Sequence, residues 1–263
     1  MTKHQHPDAV DAATAWSPLL ALRLTRDDLL ARRNLKTVHV ARNKDVLVAG
    51  QRYECLYVNH DGWLFRYKIL HNGGRQVVDF ILPQEIFGVQ ACLFSHALYS
   101  VAAITEASLS AVPIAMIDDV FERSPSLSKA LFWSAVCEAA ILAERLVDAA
   151  RRTAYERISH LLLELFVRSR RAGVASDMTF YMPLTQELIG DALGLTTVHV
   201  NRTLRALRED KLIAINGKTV TIRNFASLSL LSDFEKSYLG EDARALQMGM
   251  NGGQTTDRRE RLL

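Results

Sequence analysis

Thr197, Val198, Asn201, Arg202, Arg205 and Arg208 are the side chains with the most evident chemistry in this sequence. At about 3.6 residues per turn they share one face of a short helix. Val200, Leu204 and Leu207 repeat at i, i+4 and i+7 on the opposite face. The exposed types suit base-pair edges. A guanidinium can bond bidentately to guanine, a carboxamide to adenine, and a threonine or valine methyl can pack on a thymine methyl.

Such a face is useful only if something presents it to a groove. Leu184 to Arg208 reads as two short helices joined by a tight turn. Thr185 and Thr196 are expected N-caps, because a hydroxyl can accept from an unpaired first-turn amide. Leu188, Ile189 and Leu193 give the first helix its apolar face, and Gly194 follows where a left-handed C-cap is wanted. Gly190 sits where the helices must cross closely. This is a helix-turn-helix, whose second helix lies in the major groove of DNA.

The flanks extend the module. Thr179 to Met182 reads as a short strand closed by Pro183, and Lys211 to Ile215 as another. Asn216-Gly217 is a strong hairpin signal, and Lys218 to Arg223 returns as the second strand. Strand, helix-turn-helix and hairpin together make a winged helix, with Lys218 near the wing tip where it can meet phosphate. An ordinary helical hairpin with a solvated basic face is the competing reading, and the flanking strands count against it.

The whole chain has 263 residues, enough for two modest domains, and 49% of them are hydrophobic, so a packed core is expected. A net charge of +3 and a pI near 8.8 argue for neither nucleic acid nor membrane, so any basic footprint must be local. Cys55, Cys92 and Cys137 are far apart and form no metal or disulfide pattern. His4 and His6 lie in a polar N-terminal stretch with no signal-peptide core, and no run of about 20 apolar residues suggests a membrane span. A cytoplasmic protein is expected.

Pro18 to Asn34 reads as a helix. From Thr37 the pattern becomes short strands: 38–40, 46–48, 55–58, 63–67 and 77–82, then 102–104, 108–112 and a candidate at 115–117. Gly50, Gly62 and Gly73-Gly74 punctuate them, which suggests an antiparallel barrel or jelly roll. Ser124-Pro125-Ser126 then starts a helix free of Gly and Pro to Ala149. Its partial stripes are Leu131, Ala135, Leu142, Leu146 and Ala149, beside Val136, Ala139 or Ala140, Ala143, Val147 and Ala150. An apolar arc this wide predicts contact with both the β-roll and a second helix. Arg151 to Thr153 is a candidate hinge. A further helix runs from Ala154 to about Arg171, with Ile158, Leu161, Leu162, Leu165 and Phe166 inward. Arg168, Arg170 and Arg171 are expected to complement its dipole. Phe225 to Tyr238 reads as a closing helix and the remainder as a mobile tail.

The sequence resembles the Crp/Fnr family of transcription regulators. The β-roll marks are Gly50, Gly62 and Phe87-Gly88 after Leu82-Pro83. The DNA-binding marks are Leu184-Thr185, Gly190, Leu193 to Thr196, Val200, Arg202 and Asn216 to Lys218. The resemblance implies an α+β protein with an N-terminal cyclic-nucleotide-binding-like jelly roll, a long dimerisation helix and a C-terminal winged helix. It also implies a homodimer on two-fold-related operator half-sites. The expected divisions are 1–34, 35–123, 124–152, 153–238 and 239–263.

Departures from the family pattern bear on the effector and on the operator. Family members that bind cyclic AMP carry a Glu for the ribose and an Arg-Ser pair for the phosphate. Here the segment reads Phe87, Gly88 and Val89, then Tyr99 and Ser100, so only the serine remains. A cyclic phosphate buried without its cation loses a charge-assisted bond, and cyclic AMP is not expected to bind in the usual way. No clustered cysteines suggest an iron–sulfur centre and no histidine pattern a haem, so no cofactor is expected and the effector stays unassigned. On the reading helix the resemblance puts Arg202 on guanine, with Asn201 and Thr197 beside it. Val198 stands where many members have a cytosine-reading Glu. Thr185, Thr196, His199, Arg205 and Lys218 are the expected backbone contacts. Duplex DNA and a second copy are the expected partners, with RNA polymerase a further candidate. The competing classes are a cupin-like enzyme, for which no metal-spaced histidines are present, and a scaffold without DNA recognition. No enzymatic activity is expected.

Overall fold

A computed structural model describes residues 35–117, 122 and 125–239. The helix expected over 18–34, Ser124 and the tail beyond Leu239 lie outside those residues. Short apolar runs between turns form eight strands: β1 (Thr37–Val40), β2 (Asp45–Leu47), β3 (Cys55–Asp61), β4 (Leu64–Ile69), β5 (Arg75–Ile81), β6 (Ile86–Phe87), β7 (Ser100–Ala103) and β8 (Ala107–Pro113). They make two antiparallel sheets, ordered β1-β8-β3-β6 and β2-β7-β4-β5. Leu47, Leu64, Ile81, Phe87, Val101 and Leu109 fill the space between them. The strand expected at 115–117 is instead a helical turn. Pro113 ends β8, and the Ile117 amide donates to Ile114 O at 2.7 Å.

Helix α1 (Pro125–Ala150) begins on a proline, whose fixed φ and missing N–H suit a first turn. Leu131 points into the roll with Leu56, Val112 and Ile117. Leu131 thus serves the contact with the roll, whereas Leu142 and Leu146, expected in the same stripe, are exposed. Ile141 and Asp148 are also buried. Phe132, Val136, Ala139, Ala143, Leu146 and Ala150, spaced alternately four and three apart, are all exposed. Four-three spacing keeps one seam facing a partner helix.

Helix α2 (Ala154–Arg171) starts with a capping box: the Thr153 hydroxyl accepts from Glu156 N, and the Glu156 carboxylate accepts from Thr153 N. Every residue from Ile158 to Ser169 is buried. One side meets the winged helix. Trp63, Phe65, Val77, Phe80 and Leu82, on and beside the second sheet, belong to the same buried cluster. The amphipathic pattern had implied one wet face, but the roll covers it.

Arg168 shows what that covering requires. Nη1 donates to Asp79 at 3.0 Å and Glu164 at 2.9 Å, Nε and Nη2 grip Glu85 at 2.9 and 2.7 Å, and Nη2 also reaches Phe80 O at 2.6 Å. Burial opposes its charge, but Asp79 and Glu85 hold its pKa well above the ordinary value. The expected dipole role is therefore displaced by a buried ion cluster, because the roll supplies two carboxylates at that spot. Arg170 and Arg171 lie over the Phe166 and Trp133 rings. Arg145 joins Glu164 at 2.8 Å to Asp148 at 3.2 Å, and Arg152 joins Asp148 at 2.9 Å to Glu144 at 2.8 Å. Beside them His160 is fully buried. Burial, then Arg152 and Arg145, push its pKa down to about 3, so it is neutral.

The closing segment is not one helix. Helix α5 (Phe225–Ser232) stops at Asp233, which is left-handed at φ 50°. A short 3-10 turn, Lys236–Leu239, follows. No helix among the described residues is long and apolar enough to cross a membrane.

Arg168→Met leaves buried Asp79 and Glu164 and half-buried Glu85 without their shared cation. The expected loss is about 3–5 kcal/mol of stability in denaturant unfolding. A loss under about 1 kcal/mol, the scale of an exposed pair, would contradict the assigned role.

Candidate DNA-binding surface

Helices α3 (Gln186–Leu193) and α4 (Thr197–Glu209) form the two-helix unit. The Thr185 hydroxyl accepts from Leu188 N at 3.1 Å and the Thr196 hydroxyl from His199 N at 3.3 Å. Gly194 is left-handed at φ 67°. A Cβ on Gly190 would sit 2.5 Å from Leu195 O. Only glycine allows the turn to pass that close to α3. Val200, Leu204 and Leu207 go into the core, which turns the opposite face of α4 to solvent.

Around this unit runs a small antiparallel sheet of β9 (Ala175–Ser176), β10 (Thr179–Tyr181), β11 (Ile213–Asn216) and β12 (Thr219–Ile222), ordered β11-β12-β10-β9. β6 and β9, two residues each, were too short for any period to reveal. The wing turn differs in detail from the sequence expectation. Asn216 pairs with Thr219, so the two loop residues are Gly217 and Lys218. Gly217, at φ 59°, is the first central residue, where a II′ turn places its glycine. Lys218 is exposed at the tip, and its carbonyl accepts from Met182 N at 2.7 Å.

Thr197, Val198, Asn201, Arg202, Arg205 and Arg208 are all exposed, and Val198 retains 79% of its surface. The Arg202 guanidinium has no hydrogen bond or ion pair with the described residues. Asn201 Nδ2 donates to Gln186 at 3.3 Å, which holds its carboxamide between the two helices. Arg205 lies against Glu209 at 2.8 Å, an exposed i,i+4 pair. Asp210 accepts from the Tyr155 hydroxyl at 2.5 Å. Asn201, Arg208 and Lys218 line a cleft of about 180 Å³ between α4 and the wing. Thr185 and Thr196 are exposed and His199 is half-buried, all at the helix starts. The surface thus combines a prominent cationic helix, capped amides and a basic wing tip, which together can read base edges and hold phosphates.

In the roll, the Phe87–Ser100 segment is filled from within. Phe87 is buried against Tyr57, with ring centroids 5.1 Å apart. Gly88 is left-handed and opens the short 3-10 turn Val89–Cys92. The Ser100 hydroxyl accepts from Ala49 N at 3.0 Å. The Arg66 guanidinium lies 4.4 Å from the centroid of the Tyr99 ring. It makes a two-pronged ion pair with Glu138 of α1, its Nη2 at 3.1 Å. Glu138 also accepts from Gln90 at 2.8 Å and from the Tyr99 hydroxyl at 3.4 Å. Arg66 is 2% exposed. Arg66 and Glu138 escaped the sequence reading, since 72 residues separate them and no local motif joins them. Among the described residues no group of three or more His, Cys, Asp or Glu could hold a metal.

A jelly roll, a long helix and a winged helix-turn-helix in this order define a two-domain DNA-binding regulator. Residues 156–231 match the Crp-like helix-turn-helix domain and residues 37–124 the cyclic nucleotide-binding domain. The nitrogen fixation regulation protein FixK of Azorhizobium caulinodans is 29% identical over 192 residues, 73% of this chain and 77% of that protein. The fumarate and nitrate reduction regulatory protein of Vibrio cholerae is 24% identical over 197 residues, 75% of this chain and 78% of that one. The solved structure of FixK2 from Bradyrhizobium japonicum shares the fold, with a TM-score of 0.69 and 24% identity, over 76% of this chain and 98% of that one. The chain belongs to the Crp/Fnr family of DNA-binding transcription regulators.

Gly190→Ala forces a methyl into Leu195 O and should cost about 1–3 kcal/mol through overpacking. Operator affinity in a gel shift is expected to fall with it. Unchanged stability and affinity would show that the close crossing is not needed.

Proposed function

We propose that this chain regulates transcription as a homodimer, each copy placing α4 in the major groove of one half of a two-fold-related operator. The observation that carries this reading is Arg202, exposed and without a partner among the described residues, on the outer face of a capped helix beside a basic wing. In this reading Arg202 takes guanine, and Asn201 and Thr197 read neighbouring bases. Val198, unable to accept a hydrogen bond, contacts a methyl. Thr185, Thr196, His199, Arg205 and Lys218 hold the backbone. Supporting the dimer is the exposed seam of Phe132, Val136, Ala139, Ala143, Leu146 and Ala150, whose alanines let two helices approach closely.

The roll acts in this reading without cyclic AMP. Val89 and Tyr99 stand where the ribose and phosphate partners would be, Ser100 is engaged by the backbone, and Glu138 occupies Arg66.

Arg202→Ala is expected to lose about 1–3 kcal/mol of operator binding and to relax one base position per half-site in selected sequences. An unchanged logo would remove Arg202 from the base-reading role. Leu146→Glu should convert a dimer to a monomer in sedimentation, because it puts two carboxylates across an apolar seam; an unaltered mass would place the interface elsewhere. Calorimetric titration with cyclic AMP is expected to show no micromolar binding, and a micromolar isotherm would refute the filled-pocket reading.

A further inference from the structure

We infer that Arg157 and Arg75 are positioning residues that set the distance between the two reading helices of the dimer, and with it the half-site spacing the protein accepts. This rests on the dimeric reading above. Neither residue lies on α4 or on the wing. Both hold α3, and α3 holds α4.

Arg157 sits just past the hinge and ties three segments together. Its Nε donates to Arg152 O in the hinge at 2.7 Å, its Nη1 to Leu193 O at 3.0 Å, and its Nη2 to Ala149 O at 3.1 Å. Leu193 ends α3 and Ala149 lies in the last turn of α1. Carbonyls at helix ends lack helical partners and carry partial negative charge, so one cation here satisfies two helix termini. A guanidinium offers five N–H groups in a fixed plane, whereas an ammonium offers three from one atom. Only arginine can span these three carbonyls.

Arg75 holds the other half of α3. Its Nε donates to Asp191 at 2.7 Å and its Nη2 to Glu187 at 3.0 Å, with the Phe65 ring beneath at 5.4 Å. Its neighbour Gln76 reaches Ala192 O at 3.4 Å. Arg75 belongs to the roll and Arg157 bridges to α1. Two attachments from different bodies fix the axis of α3, where one would leave a pivot. The glycine crossing at Gly190 passes that orientation to α4. In a dimer joined along α1, the separation of the two α4 helices therefore follows from these contacts. Operators are read at half-site separations near one helical turn, about 34 Å, so a change of one base pair, about 3.4 Å, is felt.

The test is selection by the full-length protein from paired half-sites whose spacing varies by one or two base pairs. Wild type should favour one spacing by about tenfold or more, and Arg157→Ala should reduce that preference at least about threefold. The base preferences inside each half-site should stay as in wild type; a merely destabilised protein would lose affinity for every site alike and keep its spacing preference as well. Arg157→Lys should fall between. Arg75→Glu provides a second route should Arg157→Ala fold poorly, and adding Asp191→Arg should restore the spacing preference. Variants that fold and keep the wild-type preference, or a charge swap that restores nothing, would overturn the inference. A wild type that binds single and paired half-sites alike would overturn the dimeric reading, and this inference with it.

Discussion

The burial of Arg168 constrains the rest of the molecule. A guanidinium sealed between a β-roll and a winged helix must bring its counter-charges with it, since a lone buried cation is prohibitively costly. Asp79 and Glu85 come from the roll and Glu164 from the same helix. Glu164 then recruits Arg145 of α1, which recruits Asp148, which recruits Arg152 at the hinge. Each partner is needed because the one before it is buried. The chain of pairs links the roll, α2, α1 and the hinge, so these cannot shift independently without exposing or orphaning a charge. A well-packed apolar junction could be equally stable; the ionic one adds a geometric requirement that apolar contact lacks.

That requirement explains the surface left over. Leu131, Ile141 and Asp148 commit one side of α1 to its own chain, and the Arg66–Glu138 pair fastens the same helix to the roll. The opposite side keeps an apolar stripe that no other described residue covers. The same logic applies to α4: once Val200, Leu204 and Leu207 are buried, the cationic side has nowhere to point but outward. Both outward faces thus follow from what the interior takes.

What the sequence made legible is what is local. Caps at Thr185 and Thr196, the turn at Gly194 and the stripe of α4 depend on neighbours within a few residues, and the structure has them where the pattern implied. Strand positions in the roll were readable from alternation and glycine punctuation. The second buried face of α2 was not. Glu164 and Arg168 look like solvated residues on an amphipathic helix, and only a roll packed from 80 or more residues away makes them interior. Arg66, Glu138 and Arg75 were missed for the same reason: an ion pair across domains leaves no periodic trace. The break at Asp233 was also hidden, because the apolar residues continue past it and only the backbone turns left-handed.

We propose that two copies, each joined to the other along α1, read two halves of one DNA site. Sedimentation of the protein with a duplex carrying either two half-sites or one tests this most directly. A dimer gives a complex of two chains per duplex on the paired site, and a steep loss of affinity when one half is scrambled. One chain per duplex, bound equally well to both DNAs, would contradict it.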